Sequence, residues 1–256
     1  MLSLRPLPAF EDNYIWTLAD DDGRAIVVDP GDADVVLREM DAGLKPVAIL
    51  VTHHHPDHIG GVPRLMATGD LPCYAPDDAR IPVATHRVGE GDSVAVEALG
   101  LRFEVMAVPG HTRSHIAFLA DDWLFCGDTL FSLGCGRLFE GRPEQMLASL
   151  DRLASLPEET RVCCTHEYTE ANGRFALAAE PDNPQRDRHL ERVAELRANA
   201  LPSLPSTIGL ERACNPFLRI DQPGLRANLE RHCGRQMNSR LESFTELRSW
   251  KDGFRA

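Results

Sequence analysis

Short apolar segments separated by polar turns fill the first two thirds of the chain. Their enrichment in β-branched and aromatic residues predicts strands at residues 13–19, 25–29, 46–52, 101–108, 116–120, 123–127 and 161–165. Helical spacing of apolar residues predicts helices at residues 34–42, about 60–67 and 144–156. Because strands outnumber helices and do not alternate regularly with them, we expect a mixed sheet, or two sheets, covered by helices rather than a doubly wound fold.

Helical signals replace the strand pattern beyond residue 169. Asn183 followed by Pro184 is typical of a helix start, and this helix is predicted to reach about residue 199. Ser239 and Glu242 match a capping box ahead of a second helix that is predicted to reach about residue 251. The proline-rich stretch between these two helices is predicted to be irregular. We therefore expect a domain boundary close to the point where the strand pattern stops.

The formal charge of −12 is unevenly distributed along the 256 residues. Residues 1–171 carry 13 basic and 28 acidic side chains, whereas residues 172–256 carry 14 basic and 11 acidic ones. A net negative chain disfavours general binding to nucleic acid or to an anionic membrane. The contrast between the acidic front and the mildly basic back indicates two parts with different roles.

The seven cysteines are scattered and include no C-x-x-C pair. This pattern favours free thiols in a reducing compartment over a disulfide framework or a cysteine-based zinc site. The N-terminal residues lack the apolar core of a signal peptide, and no apolar run approaches the roughly 20 residues that span a bilayer. We expect a soluble cytoplasmic protein, with a monomer as the simplest state.

Four histidines fall within six residues, directly after the predicted strand at residues 46–52. In extended backbone alternate side chains share a face, so His53 and His55 can converge while His54 points away. Pro56 then turns the chain, and Asp57 and His58 can converge from the other side. A solvated polyhistidine tract would need neither the preceding strand nor the aspartate at this spacing. The cluster therefore predicts a metal site, since imidazole and carboxylate groups are the usual ligands of catalytic divalent metals.

Further candidate ligands follow other predicted strands. His111, Asp128 and His166 each lie at a strand end, where catalytic residues are common. Taken singly, each histidine is more often a hydrogen-bonded structural residue and the aspartate more often a turn residue. Together with the cluster they form a binuclear set if Asp128 bridges the two metals. Asp29 and His115 remain open: the first is either a turn residue or a partner of a ligand, and the second lies four residues after a candidate ligand.

These residues resemble the metal motif of the metallo-β-lactamase superfamily. Within that superfamily the chain is similar to the glyoxalase II (hydroxyacylglutathione hydrolase) family, and the resemblance covers essentially the whole chain. The segments that carry this narrower resemblance are residues 10–16, 134–141, 165–168 and 215–219, together with the pair Arg248 and Lys251.

The resemblance implies an α+β fold in two domains. A metallo-β-lactamase-type αββα sandwich would form the catalytic domain over residues 1–168, and a smaller helical domain over residues 169–256 would bind a glutathione conjugate. It implies two divalent metal ions, with zinc the leading candidate and iron or manganese as alternatives. The implied ligands are His53, His55 and His111 for one ion, Asp57, His58 and His166 for the other, and Asp128 as the bridge.

The implied reaction is the hydrolysis of S-D-lactoylglutathione to D-lactate and glutathione by a metal-bridging hydroxide, which Asp57 helps to orient. Such a thioester is a net anion, so an acidic protein needs local cations to capture it. Arg248 and Lys251 lie three residues apart and share a face of the predicted last helix. The resemblance assigns them, with Arg137 and Tyr168, to the glutathione moiety. Phe139 stands where some members have tyrosine, which leaves it as an apolar wall.

Two alternatives define what would contradict this assignment. One is another enzyme of the superfamily, such as a persulfide dioxygenase with a single iron, which the complete second ligand set disfavours. The other is a non-catalytic metal-binding protein that keeps only the fold. A small-molecule substrate, with no nucleic acid and no membrane partner, is therefore the expectation.

Overall fold

The computed structural model describes residues 1–255, and these form two compact units. The first unit comprises Met1–Val108, Ser114–Gly127 and Cys163–His166. The second unit comprises Pro109–Arg113, Asp128–Val162 and the chain from Glu167 onward.

The strands of the first unit form two sheets. Their bounds are β1 (Ser3–Ala9), β2 (Asn13–Ala19), β3 (Arg24–Val28), β4 (Lys45–Leu50), β5 (Cys73–Pro76), β6 (His86–Val88), β7 (Ser93–Val96), β8 (Leu101–Ala107), β9 (Ile116–Ala120) and β10 (Trp123–Gly127). One sheet runs β1-β2-β3-β4-β5-β6, antiparallel from β1 to β3 and parallel from β3 to β6. The other runs from β10 through β9 and β8 to β7, with antiparallel neighbours. The sequence-based expectation of a mixed sheet or two sheets is confirmed.

Two hydrogen bonds link segments of the two sheets. The indole of Trp16 on β2 donates to the carbonyl of Cys164 at 2.9 Å, and the amide of Ile116 on β9 donates to the carbonyl of Thr52 at 3.0 Å. β2 is buried along nearly its whole length, and every residue of β10 is buried. Strands that are apolar on both faces are typical of sheets covered on both sides. This is the α+β sandwich that the ligand-bearing loops project from.

Helices in the first unit are short. They are α1 (Ala33–Asp41), α2 (Pro56–Ile59) and α3 (Val62–Met66), with one 3-10 turn at Glu97–Leu99. Asp32 caps α1 because its side chain accepts a hydrogen bond from the amide of Asp34. The helix predicted at about residues 60–67 is observed as α3, and the short helix α2 that begins at Pro56 was not predicted. The metal-binding cluster therefore spans a strand end and a helix start.

The second unit is mainly helical. Its helices are α4 (Pro143–Ala154), α5 (Thr169–Ala179), α6 (Pro184–Ala198), α7 (Ile208–Cys214), α8 (Pro223–Cys233) and α9 (Arg240–Gly253). Its short strands are β11 (Leu130–Phe131), β12 (Gly134–Cys135) and β14 (Ser206–Thr207), while β13 (Arg161–Cys164) begins in this unit and ends in the first. No helix in the described part of the chain is both long and apolar enough to cross a bilayer.

The capping signals for α6 and α9 are confirmed in part. The side chain of Asn183 accepts from the amide of Arg186, and that of Ser239 accepts from the amide of Glu242. The reciprocal half of the second box differs, because the Glu242 carboxylate accepts from the amide of Asn238. The expectation of an irregular stretch between these helices is wrong over α7 and α8. Pro223 starts α8 at its first turn, where a missing amide hydrogen costs nothing.

Candidate metal centre

The loop after β4 brings two imidazoles together. Nε2 of His53 lies 2.9 Å from Nδ1 of His55, and the two rings meet edge to face with centroids 4.6 Å apart. This is the convergence that alternation in extended backbone predicts. The loop can lie so close to its neighbour only because Gly31 has no side chain: a Cβ there would stand 1.8 Å from the carbonyl oxygen of Asp57.

Asp57, His58 and His166 form a second cluster within the first unit. Oδ2 of Asp57 lies 3.4 Å from Nε2 of His58 and 3.4 Å from Nε2 of His166. Tetrahedral bonds of about 2.0–2.1 Å to a metal place neighbouring ligand atoms roughly 3.3 Å apart. The donor set and its spacing therefore fit a divalent metal ion. His58 is fully buried and His166 is 6% exposed, whereas the side chain of Asp57 is 40% exposed.

Asp29 holds His58 in place. Nδ1 of His58 donates to Oδ2 of Asp29 at 2.9 Å, which directs Nε2 toward Asp57. The amide and hydroxyl of Thr52 also donate to this carboxylate, each at 2.7 Å. Asp29 is 2% exposed and has a φ of 49°, a left-handed conformation that aspartate tolerates better than most residues. Of the two roles left open by the sequence, the hydrogen bond to a neighbouring ligand is the one observed.

The pKa of Asp57 is set by opposing effects. Burial alone would raise the pKa of this carboxyl group, but hydrogen bonds from His166, His58 and Asn13 hold the pKa well below its usual range. The carboxylate is therefore ionised at neutral pH, as a metal ligand must be.

His53 is fixed from two sides. Its Nδ1 lies 3.1 Å from the hydroxyl of Thr52, and its ring stacks on His115 with centroids 4.6 Å apart. His115 is thus a packing partner of a candidate ligand, which answers the question that its spacing left open. His54 points elsewhere, with Nδ1 3.7 Å from the carboxylate of Asp78.

The second unit brings His111 and Asp128 together. Nε2 of His111 lies 3.4 Å from Oδ2 of Asp128, and Nδ1 of His111 lies 2.8 Å from the carbonyl oxygen of Arg137. Gly136 packs directly on this pair, since a Cβ there would stand 1.9 Å from the carbonyl oxygen of Asp128. The glycine-rich segment at residues 134–141 therefore supports the two candidate ligands, because its backbone packs directly against theirs.

The expected glutathione contacts also lie in the second unit. Arg248 is only 6% exposed and donates to the carbonyl of Cys135 and to Oδ1 of Asp252, each at 2.9 Å. Nε of Arg137 donates to the same Asp252 oxygen at 3.3 Å. Arg248 is thus more deeply engaged in the fold than its position on a helix face indicated.

Lys251 is half-buried. Its ammonium lies over the ring of Phe175, 5.4 Å from the centroid, and donates to the carbonyl of Ala171 at 3.4 Å. Burial, reinforced by the charges of Arg248 and Arg174, lowers the pKa of Lys251 to about 8. Tyr168 packs edge to face on Phe131, and Phe139 is 61% exposed with its ring 5.2 Å from that of His111.

Several residues of the site were not found from the sequence. Asp12, Asn13 and Thr52 each contact a candidate ligand. Thr52 could have been suspected because it adjoins the cluster. Asp12 lies in the turn before β2 and Asn13 begins β2, 154 and 44 residues away in sequence from His166 and Asp57, so periodicity and spacing do not mark their contacts, although both fall in the segment 10–16 that carries the family resemblance.

Fold and ligand set together define a protein of the metallo-β-lactamase superfamily. The superfamily model matches residues 13–166, and a model described as the hydroxyacylglutathione hydrolase C-terminus matches residues 167–254. The chain is 53% identical over 254 residues to a hydroxyacylglutathione hydrolase of Xylella fastidiosa (strain M12), covering 99% of this chain and 98% of the other. The chain belongs to the hydroxyacylglutathione hydrolase (glyoxalase II) family and is an enzyme of that family.

Solved structures agree with this fold. The BLEG-1 B3 metallo-beta-lactamase is 26% identical, with a TM-score of 0.63 over 85% of this chain and 99% of that one. TTHA1623, solved in a di-iron-bound form, is 28% identical, with a TM-score of 0.61 over 84% of this chain and 100% of that one. The family and the His/Asp clusters imply divalent metals in this chain.

Proposed function

We propose that this enzyme hydrolyses S-D-lactoylglutathione to D-lactate and glutathione, the step that completes methylglyoxal detoxification. The observation that carries the proposal is the Asp57, His58 and His166 cluster, with 3.4 Å between its ligand atoms, in a chain 53% identical to named hydroxyacylglutathione hydrolases. A full second ligand set disfavours the mono-iron persulfide dioxygenase alternative, and whole-chain identity to hydrolases disfavours a non-catalytic protein.

Two metal ions per chain, most simply zinc, with iron or manganese as alternatives, form part of the proposal. We assign His53, His55 and His111 to one ion, Asp57, His58 and His166 to the other, and Asp128 to both. When bound, such ions lower the pKa of a water molecule to near neutrality and polarise a thioester carbonyl. The nitrogen and oxygen donors of this set suit all three metals.

Asp57 is the proposed catalytic residue. It is the one member of its cluster with substantial exposure, 40% of its side chain, so it can accept a hydrogen bond from an attacking water while the buried histidines cannot. Its low pKa means that it stays an acceptor at neutral pH. A thiolate leaves readily, so the reaction requires no strong general acid on the chain.

The glutathione moiety is assigned to the second unit. Lys251 and Arg137 are proposed direct contacts because both lie near the buried Arg248, and the side chain of Arg137 is 58% exposed. Tyr168 is proposed as a third contact from the family resemblance. Arg248 contributes charge to the same region and, through Cys135 and Asp252, shapes it. Two carboxylates on glutathione make these cations the appropriate partners.

We also propose a catalytic domain over residues 1–168 and a helical glutathione-conjugate-binding domain over residues 169–256. The two family models, which divide between residues 166 and 167, support this boundary. A cytoplasmic monomer is the proposed state. All cysteines in the described residues are free thiols, which suits a reducing compartment, and a net charge of −12 favours solubility.

Metal analysis combined with a thioester assay tests the proposal. Purified protein is expected to hold about two metal ions per chain and to hydrolyse S-D-lactoylglutathione. Chelation should remove both the metal and the activity, and re-addition of zinc should restore them. Metal-replete protein that leaves the thioester intact would contradict the proposed function, and oxygen uptake with glutathione persulfide would favour the dioxygenase.

A further inference from the structure

The turn between β1 and β2 is joined to the end of β13, which carries a candidate ligand. Asn13 forms an isolated antiparallel bridge with His166, and the amide of Tyr14 donates to the carbonyl of Thr165 at 2.6 Å. Backbone hydrogen bonds therefore hold the turn next to His166 independently of any side-chain contact. Both segments belong to the first unit.

Two adjacent side chains, Asp12 in this turn and Asn13 at the start of β2, contact two different candidate ligands. Nδ1 of His166 lies 2.7 Å from Oδ1 of Asp12, which leaves Nε2 directed toward Asp57. The amide nitrogen of Asn13 donates to Oδ2 of Asp57 at 3.0 Å. That oxygen is the same one that lies 3.4 Å from both histidines of the cluster. One turn thus restrains the ring orientation of His166 and the rotamer of Asp57.

Two histidines of the Asp57 cluster have carboxylate partners on the ring nitrogen that faces away from Asp57. His166 and His58 each contact a carboxylate, from Asp12 and Asp29 respectively. On His53, the Nδ1 nitrogen lies 3.1 Å from the neutral hydroxyl of Thr52. A carboxylate on the far nitrogen fixes the tautomer and makes the imidazole a stronger ligand, and removing such a partner costs 10- to 100-fold in metal affinity. Loss of the turn's side chains should therefore weaken one metal subsite and spare the other.

We propose that Asp12 and Asn13 are positioning residues that hold His166 and Asp57 for the metal ion bound by Asp57, His58 and His166. This inference rests on the metal sites of the proposed function and adds residues that act through the ligands. The ion assigned to His53, His55 and His111 is expected to be less sensitive to this turn, because the side-chain contacts described for Asp12 and Asn13 are with His166 and Asp57.

Metal titration of the full-length protein tests the proposal without any thioester. Chelator-stripped wild type, Asp12→Ala, Asp12→Asn and Asn13→Ala would be titrated with Zn²⁺ against a chromophoric chelator, and metal per chain measured after gel filtration. Asp12→Ala and Asn13→Ala should each weaken one ion by about 10- to 100-fold and leave the other unchanged. Asp12→Asn should recover part of the loss, since its amide oxygen still accepts from His166.

Asp34→Ala is the matched control. Asp34 makes an exposed ion pair with Arg64 and contacts no candidate ligand, so this variant should bind both ions as wild type does. Circular dichroism and melting of the metal-free proteins check folding, and Asp12→Asn serves where Asp12→Ala does not fold.

Unchanged affinity for both ions in Asp12→Asn and Asn13→Ala overturns the inference, as does equal weakening of both ions. If wild type binds a single ion, the two-metal proposal fails. The turn's role then stands only if these variants weaken that ion.

Discussion

Asp29 is connected to two candidate metal ligands through a single carboxylate. Its Oδ2 accepts directly from Nδ1 of His58 at 2.9 Å and from the hydroxyl of Thr52 at 2.7 Å. The oxygen of that hydroxyl lies 3.1 Å from Nδ1 of His53. With its proton donated to Asp29, the hydroxyl accepts from His53, so both histidines are held with Nε2 available to a metal.

Asp29→Ala should therefore weaken both metal ions, unlike the variants of Asp12. It leaves the amide of Thr52 without its acceptor, which adds a cost of about 1–3 kcal/mol to folding. Asp29→Asn should lose less stability, because asparagine tolerates the left-handed φ of 49° and its oxygen can still accept. Zinc titration and urea unfolding of the metal-free proteins measure the two effects separately. Wild-type metal affinity in Asp29→Ala would contradict this account.

The lowered pKa of Lys251 predicts that substrate binding depends on pH. Its pKa is lowered to about 8 by burial and neighbouring arginines, so the free enzyme loses this cation as the pH rises through about 8. If the protonated lysine binds a glutathione carboxylate, kcat/KM should fall across that range, mainly through a rise in KM.

Lys251→Arg is the informative variant, because arginine stays protonated throughout this range. It should abolish the fall in kcat/KM near pH 8, whereas Lys251→Ala should have a raised KM at every pH. A pH profile that is the same in wild type and Lys251→Arg would show that another group titrates there.

The close approach of the side chains in the histidine cluster could be predicted because the signal for it is local. His53, His55, Asp57 and His58 are adjacent in sequence, and the structure places them as strand alternation and the turn at Pro56 require. Asp12 could not be predicted, because its role depends on a contact with a residue 154 positions away. A sequence pattern reports periodicity and spacing, and it contains no information on which turn meets which strand end.

Two elements, β1 and α8, were not predicted because the prolines in them favour irregular structure. Pro6 and Pro8 argue against a strand, yet both lie in β1. β1 is at the edge of its sheet, where one side of the backbone needs no amide donors. Pro223 similarly indicated an irregular stretch, whereas it begins α8. Proline is disfavoured inside a helix or a central strand, but it is compatible with an edge strand and with the first turn of a helix.

The raised pKa of the buried Glu211 predicts that the stability of the second unit depends on pH. Burial raises the pKa of this carboxyl group to about 7, although Ser206, the amide of Leu133 and Asn215 all donate to it. A raised folded-state pKa means that the folded protein binds the proton more tightly than the unfolded chain. The contribution of Glu211 to the free energy of unfolding is therefore fully present below about pH 4.5. It falls by about 3 kcal/mol in total as the pH rises to about 7.

Glu211→Gln should remove this dependence. The amide keeps an acceptor for Leu133 and Asn215 and carries no charge, so the variant should gain stability relative to wild type as the pH rises from 5 to 8. Urea unfolding of metal-free protein at both pH values measures the difference between the two proteins. A difference that does not change with pH would contradict the raised pKa.

Gly136 provides a test of how the second unit supports its metal ligands. A Cβ at this position would stand 1.9 Å from the carbonyl oxygen of Asp128 and 3.2 Å from Cβ of His111. The first contact is with backbone, which cannot move aside as a flexible side chain can. Gly136→Ala must therefore displace the Asp128 segment, and it should lower Tm and weaken metal binding together.

Gly89→Ala is the matched control, because a Cβ at Gly89 meets nothing within 4 Å. It should leave metal content unchanged and keep Tm within a few degrees of wild type, since it changes only the entropy of the unfolded chain. Metal per chain and melting curves of the two variants, measured side by side, separate a general glycine effect from the close approach at Asp128. Equal behaviour of the two variants would mean that the glycine-rich segment does not hold this ligand in place.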